Sequence, residues 1–140
     1  MPEKHQTDLA LYRMERAKER LLSAETLLSI GSFGDFIGRS CYAIFTAARA
    51  LLALKGLDSK KHSGVIALFN VHFIKSGLLE KDVYQIIASA KAGRERADYE
   101  DYVEFSQEEA ANQFKRANEF IQKVERVLKS NIETKPLEGA

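Results

Sequence analysis

Residues 36–55 read FIGRSCYAIFTAARALLALK, and the spacing inside this stretch decides the fold. Ile37, Cys41, Ile44, Phe45, Ala48, Leu51 and Leu52 recur at three- and four-residue steps, which is the repeat of a helix with one broad apolar face. The stretch is the most apolar part of the chain, so it is expected to be the central element of the core. Asp35, just before it, is expected to cap this second helix by accepting bonds from its free amides.

On the N-terminal side a first helix is expected from about Thr7 to Ile30, with Leu11, Met14, Ala17, Leu21, Ala24 and Leu28 as its apolar stripe and Gly31 as its stop. On the C-terminal side Gly56 closes the central helix, and the polar run LDSKKHSG leads into VIALFNVHFI. Val65, Ile66, Phe69, Phe73 and Ile74 keep helical spacing there and predict a shorter third helix before Gly77. A fourth helix is expected from Leu79 to about Ala97, carried by Val83, Ile86, Ile87 and Ala90 and weakened at Gly93. Ser106 and Glu109 form a capping box, after which Ala110, Phe114, Ala117, Ile121, Val124 and Leu128 mark a last helix to about Lys129. Residues 131–140, NIETKPLEGA, are rich in turn and disorder formers and are expected to form a flexible tail.

Short connections between such segments leave consecutive helices little choice but to pack antiparallel. The expectation is therefore all-α: one domain over residues 1–130, built as an up-and-down antiparallel helical bundle of four to five helices. The aromatic side chains of the second and third helices are read as core.

A chain of 140 residues can bury one sizeable core but not two comfortable ones. With 45% hydrophobic and 29% charged residues it has an ordinary globular balance. The formal net charge of +1 gives no global attraction for nucleic acid, but it leaves open a local basic patch. Cys41 has no partner in the chain, which rules out an internal disulfide or a cysteine-based zinc site and suggests a reduced, cytoplasmic setting. The charged N-terminus has no apolar core of a signal, and no 18 apolar residues run together, so neither secretion nor a membrane span is expected.

The chemistry-bearing candidates concentrate at residues 94–102, RERADYEDY. Arg94 and Arg96 are placed either to complement a helix C-terminus or to contact phosphate. Asp98 and Asp101 read as turn residues or arginine partners, and Tyr99 and Tyr102 as packing residues with a hydroxyl in water. Arg49 lies in the most apolar helix and needs a partner, for which Asp98 or another acid of the fourth helix is the expectation. Lys60, Lys61 and His62 could hold phosphate with the following helix start; alternatively they form a solvated loop in which His62 or Ser63 caps that helix. His5 and His72 have no metal-ligand spacing, and no nucleophile triad is present, so neither metal nor cofactor is expected.

Three features taken in order resemble the prokaryotic HEPN domain proteins. They are the aromatic, small-residue helix around Tyr42, Phe45, Ala48, Arg49 and Ala50, the Lys-x-His-Ser-Gly turn at Lys60 to Gly64, and the Arg-x-x-Asp-Tyr element followed by the capping box. The resemblance covers roughly Ala10 to Leu128. It implies a helical bundle, commonly a homodimer, encoded beside a minimal nucleotidyltransferase as a toxin and antitoxin pair. It also implies metal-independent RNA cleavage by an arginine followed, after four to six residues, by a histidine.

This chain departs from that motif. After Arg94 the relevant positions hold Tyr99, Glu100 and Asp101, and after Arg96 they hold Asp101, Tyr102 and Val103. Metal-free cleavage needs a group that moves protons near neutral pH, a task that suits histidine and that arginine, always charged, cannot perform. The expectation is thus an RNA- or nucleotide-binding module with a degenerate RNase motif, using Arg94, Arg96, Asp98, Tyr99, Tyr102, Arg49, Lys60, Lys61 and His62. The alternatives are a metal-independent endoribonuclease using Arg94 or Arg96 with Tyr99, and a purely structural partner.

Overall fold

A computed structural model describes residues 2–133. Its helices are α1 (Lys4–Ser29), α2 (Phe33–Ala53), α3 (His62–Phe69), α4 (Lys81–Tyr99) and α5 (Gln107–Glu133), with a π-helical turn, Asn70–Ile74, extending α3. No strand occurs among the described residues, so the all-α bundle expected from periodicity is what the chain forms. Nor is any described helix long and apolar enough to cross a membrane.

Helix α2 is the hub, as its apolar spacing predicts. It packs against α1, α3, α4 and α5, most extensively against α1, whereas α1 and α4 do not touch at the level of the backbone. That gap has consequences for the site. A tight turn folds α2 back on α1: Gly31 takes φ 80°, a conformation that costs only glycine nothing, and Ser32 N–H reaches the Leu27 carbonyl at 2.9 Å.

On α1 the buried positions are Ala10, Met14, Ala17, Leu21 and Ala24, a strict alternation of three and four. Leu11, expected in this stripe, lies one residue off it and is 41% exposed; Ala10 takes its place. Alanine at 10, 17 and 24 faces a helix that itself buries Ala43, Ala47 and Ala50, and small side chains at the contact let helix axes approach. The centre of the core is aromatic, with Phe69 within 5.7 Å of Phe73 and 5.5 Å of Phe120, ring centre to ring centre.

Several boundaries move. Helix α2 begins at Phe33, not Phe36, so Ser32 occupies the cap position and Asp35 sits in the first turn, where it accepts a hydrogen bond from the Ser32 hydroxyl at 2.9 Å. Ser32 stands at the cap position in place of the expected Asp35, and its side chain makes no cap hydrogen bond to the backbone. Helix α3 begins at His62, and α4 passes through Gly93 to Tyr99. The Ser106–Glu109 capping box forms, the Ser106 hydroxyl accepting from the Glu109 amide at 3.1 Å while the Glu109 carboxylate takes the Ser106 amide at 3.4 Å. Of the expected tail, residues 131–133 continue α5, and the remainder lies outside the described residues.

Two glycines let α4 approach α2. A Cβ at Gly93 would lie 3.3 Å from the Cys41 sulfur, and one at Gly38 would lie 3.2 Å from Asp98 Oδ1.

Candidate nucleic-acid interface

Because α1 and α4 flank α2 without touching, a groove remains between them with α2 as its floor. It encloses about 570 Å³ and is open to solvent. Arg16 and Arg20 line it from α1, Arg39 and Tyr42 from α2, and Arg94 and Asp98 from α4. The cations are not scattered. Arg13, Arg16 and Arg20 fall at three- and four-residue steps on α1, and Arg39, Tyr42, Thr46 and Arg49 do the same on α2, so each set occupies one helical face. The α2 set spans about 15 Å along the axis.

Tyr42 is the convergence point. The guanidinium carbon of Arg20 lies 4.4 Å from the centre of its ring, and that of Arg94 lies 4.7 Å away. Two cations on one ring gain cation–π attraction but repel one another. Only one is neutralised: Arg94 Nε donates to Asp98 Oδ2 at 3.3 Å, whereas among the described residues no carboxylate pairs with Arg20. The Nη1 nitrogen of each is covered and has no hydrogen-bond partner among the described residues. Covered guanidinium N–H groups without acceptors are expensive, and an anionic oxygen entering the groove is what would satisfy guanidinium groups so placed.

The arginine two residues along does something else. Arg96 stacks on Phe105 at 4.6 Å and donates to Glu109 at 3.0 Å, tying the end of α4 to the capping box of α5. The Glu109 carboxyl is held below its ordinary range chiefly by that bond. Arg96 does not line the groove. Tyr99 and Tyr102 are exposed, Tyr102 completely, and neither reaches the groove, so Tyr99 has no contact through which to assist Arg94.

Arg49 is held, but by a different partner from the one expected. Its Nε and Nη2 donate to the two oxygens of Asp58, both at 2.8 Å. Asp98 instead pairs with Arg94, one turn away on its own helix. The reason is positional: Asp58 in the loop after α2 can present both oxygens to the guanidinium, the geometry arginine favours. Arg13 adds bonds to Asp58 at 3.2 Å and to the Arg49 carbonyl at 3.3 Å. These cations hold the Asp58 carboxyl down to about 2, the Arg49 hydrogen bonds being the largest cause.

Asp58 also orders the turn that follows. It accepts the Ser59 amide at 2.8 Å, and the Ser59 hydroxyl accepts the Lys61 amide at 3.3 Å. A Cβ on Gly64 would overlap the Ser59 hydroxyl group, which accounts for the glycine in the Lys-x-His-Ser-Gly turn. The cap position of α3 is Lys61, so neither His62 nor Ser63 caps it. Lys60 and Lys61 are exposed. His62 turns inward and lays its ring on Phe45, centroids 4.1 Å apart and planes within 8°. Its pKa is lowered by burial first, then by the charges of Arg94 and Lys91.

Cys41 is buried beside this region, and desolvation pushes its thiol up to about 12, which removes it as a nucleophile near neutral pH. Among the described residues no three His, Cys, Asp or Glu side chains gather as metal ligands would.

Sequence reasoning missed Arg13, Arg16, Arg20 and Arg39, and it assigned Tyr42 to the core. The available signal was the spacing of the α1 arginines, which matches a single face. Their charge masked it, since a charged face on an amphipathic helix is ordinarily a solvated one.

The HEPN domain family matches residues 10–127. A UPF0332 protein of Thermotoga maritima is 34% identical over 84% of this chain and 89% of its own length. A Methanocaldococcus jannaschii protein named "Putative toxin MJ0605" is 35% identical over 83% of this chain and 86% of its own. A UPF0332 protein of Pyrococcus horikoshii is 52% identical over a shorter stretch, 46% of this chain and 45% of that protein. With the family spanning everything from α1 to the last turns of α5, the chain belongs to the HEPN domain family.

Proposed function

We propose that this chain is a toxin-type HEPN module that binds single-stranded RNA, or a nucleotide, through phosphate contacts in the groove between α1 and α4. The observation that carries the reading is the convergence of Arg20 and Arg94 on Tyr42, each with a covered Nη1 that has no hydrogen-bond partner among the described residues. Arg16 and Arg20 on the α1 wall, Arg39 on the floor and Arg94 on the α4 wall of an open groove suit a flexible polyanion. The formal net charge of +1 does not conflict with this, because four arginines, Arg16, Arg20, Arg39 and Arg94, line the one groove.

The toxin name carried by the M. jannaschii relative, together with the family's usual genetic pairing, supports a paired system. In it this chain would act in the cytoplasm as a homodimer with a separately encoded minimal nucleotidyltransferase. The Arg94 helix end lacks a motif histidine, so binding is the activity this element by itself supports.

Fluorescence anisotropy with a short labelled single-stranded RNA tests the reading. If about three phosphates are contacted, affinity falls about twentyfold between 50 and 200 mM salt. Arg20→Ala and Arg94→Ala each weaken binding and flatten the salt slope by roughly 0.7 per lost contact. Wild-type affinity in the double variant would reject the groove as the site.

A further inference from the structure

We propose that the end of the arginine groove nearest the α1–α2 turn is a guanine-reading subsite, in which Asp35 and Arg39 select the base of the nucleotide whose phosphate Arg20 and Arg94 hold. The inference rests on the phosphate-binding reading of the groove and adds a base identity to it.

The groove is not uniform along its length. Helices α1 and α2 run antiparallel, so the level of Arg20 and Tyr42 is followed, towards the turn, by Ser23 and Gly38 and then by Leu27 and Asp35. Helix α4 keeps the same order, with Arg94 at Tyr42 and Asp98 at Gly38. Cations therefore converge at Tyr42, while the turn end offers a carboxylate and an uncharged wall. Asp35, Arg39 and Tyr42 stand at steps of four and three on α2 and share one of its faces. Asp35 and Tyr42 are two turns apart, roughly 10 Å along the axis. That is the reach of a nucleotide from its phosphate to the far edge of its base.

The polar groups at this end are uncommitted. Asp35 Oδ2 accepts the Ser32 hydroxyl at 2.9 Å, which steadies the carboxylate, while its Oδ1 has no hydrogen bond among the described residues. Arg39 has neither a hydrogen bond nor an ion pair among the described residues, although it lines the groove. Four-residue spacing brings the two Cβ atoms to about 5–6 Å, so both side chains can meet one ligand edge.

A carboxylate and a guanidinium side by side match one base. Guanine presents two adjacent donors, N1–H and the N2 amino group, beside the O6 acceptor. The donors suit Asp35, and O6 suits Arg39. Adenine and cytosine place an unprotonated ring nitrogen beside a single amino donor, and uracil flanks its N3–H with two carbonyls. Each of these three sets an acceptor against the carboxylate. Leu27 supplies apolar surface at the level of Asp35, and only an unpaired base, in a free nucleotide or a single strand, leaves this edge open.

Fluorescence anisotropy with labelled uridine hexamers tests the assignment. One carries a single central guanosine, one adenosine, and one inosine, which lacks the 2-amino group. Wild type is expected to bind the guanosine hexamer about tenfold more tightly than the adenosine hexamer, with inosine between them. Asp35→Asn and Arg39→Gln are each expected to cut the guanosine advantage below about threefold, whereas Arg20→Ala weakens all three hexamers and keeps the ratio. Far-ultraviolet circular dichroism shows that each variant has folded, and the inosine comparison needs no variant. Competition with guanosine 5′-monophosphate separates the two sources of the base. Displacement near the dissociation constant of the hexamer makes a free nucleotide the ligand, and displacement only far above it makes the ligand a guanine within RNA. Equal affinity for the three hexamers, or a guanosine advantage that both Asp35→Asn and Arg39→Gln retain, would overturn the inference and leave the phosphate groove standing. Absence of binding to every hexamer and to guanosine 5′-monophosphate would overturn both.

Discussion

The Asp58 carboxylate takes two hydrogen bonds from Arg49, each 2.8 Å long, and so fastens the loop after α2 to the helix it has just left. Arg13 of α1 joins at 3.2 Å, which makes one carboxylate the meeting point of three segments. Asp58→Asn removes the charge and is expected to cost about 1–2 kcal/mol, since charge-assisted bonds are worth more than neutral ones but this carboxylate is partly exposed and screened. The pH dependence follows from a folded carboxyl held at about 2, below its ordinary value of 3.8. The stabilisation is complete above the unfolded value and is lost as pH falls from there through the folded one. Urea midpoints of wild type and variant should therefore differ at pH 7 and converge near pH 2. A difference that persists undiminished in acid would assign the effect to shape and not to charge.

Gly93 and Gly38 offer a comparison of two close approaches that differ in what must yield. A methyl at Gly93 meets the sulfur of Cys41, which is 1% exposed in the core, whereas a methyl at Gly38 meets the tip of Asp98 near the surface. Alanine is favoured over glycine in a helix by up to about 1 kcal/mol. Asp98 can swing aside, so Gly38→Ala is expected to be neutral or slightly stabilising. Cys41 cannot, so Gly93→Ala is expected to be destabilising by about 1–2 kcal/mol. The order of the two denaturation midpoints decides the matter, and equal stabilisation would mean that the α2–α4 contact is looser than these distances imply.

The fold was legible in the sequence because a helix repeats its environment every three or four residues. Ala17, Leu21 and Ala24 on α1 and Val124 and Leu128 on α5 all fall where the repeat puts them. Leu11 was misplaced because a neighbour one residue away, Ala10, fits the same repeat, and hydrophobicity favours the larger side chain. The site was less legible, since it is made between helices. No local pattern indicates that Arg20, Tyr42 and Arg94 meet, or that Arg49 finds Asp58 before it finds Asp98. Residues two positions apart also diverge: Arg94 and Arg96 share a turn of α4, yet one enters the groove and the other ties down α5.

Cys41 is expected to be inert in the folded protein. Burial holds its thiol near 12, and the thiolate is the reactive form. With a disulfide reagent in excess, modification should proceed at the rate of unfolding and become independent of reagent concentration. Gln113, whose amide reaches the sulfur at 3.6 Å, is half-buried over it, and Gln113→Ala should speed the reaction about tenfold if it serves as a cover. Rapid, reagent-dependent labelling of wild type would contradict the packing of α5 on α2.

Removing the Arg94 charge should make His62 easier to protonate. Burial is the larger cause of its lowered pKa and Arg94 the next, so Arg94→Met is expected to raise the value without restoring it fully. The sign for stability follows. A histidine whose folded pKa lies below its unfolded one is penalised when it charges, so wild type loses stability as pH falls from the unfolded value through the folded one. Arg94→Met should lose less over that window. Its near-neutral stability change comprises the lost Tyr42 stacking and Asp98 bond, both partly exposed and together about 1 kcal/mol. Histidine ring resonances followed by NMR during a pH titration give the two values directly. An unchanged His62 titration in Arg94→Met would separate the two groups electrostatically.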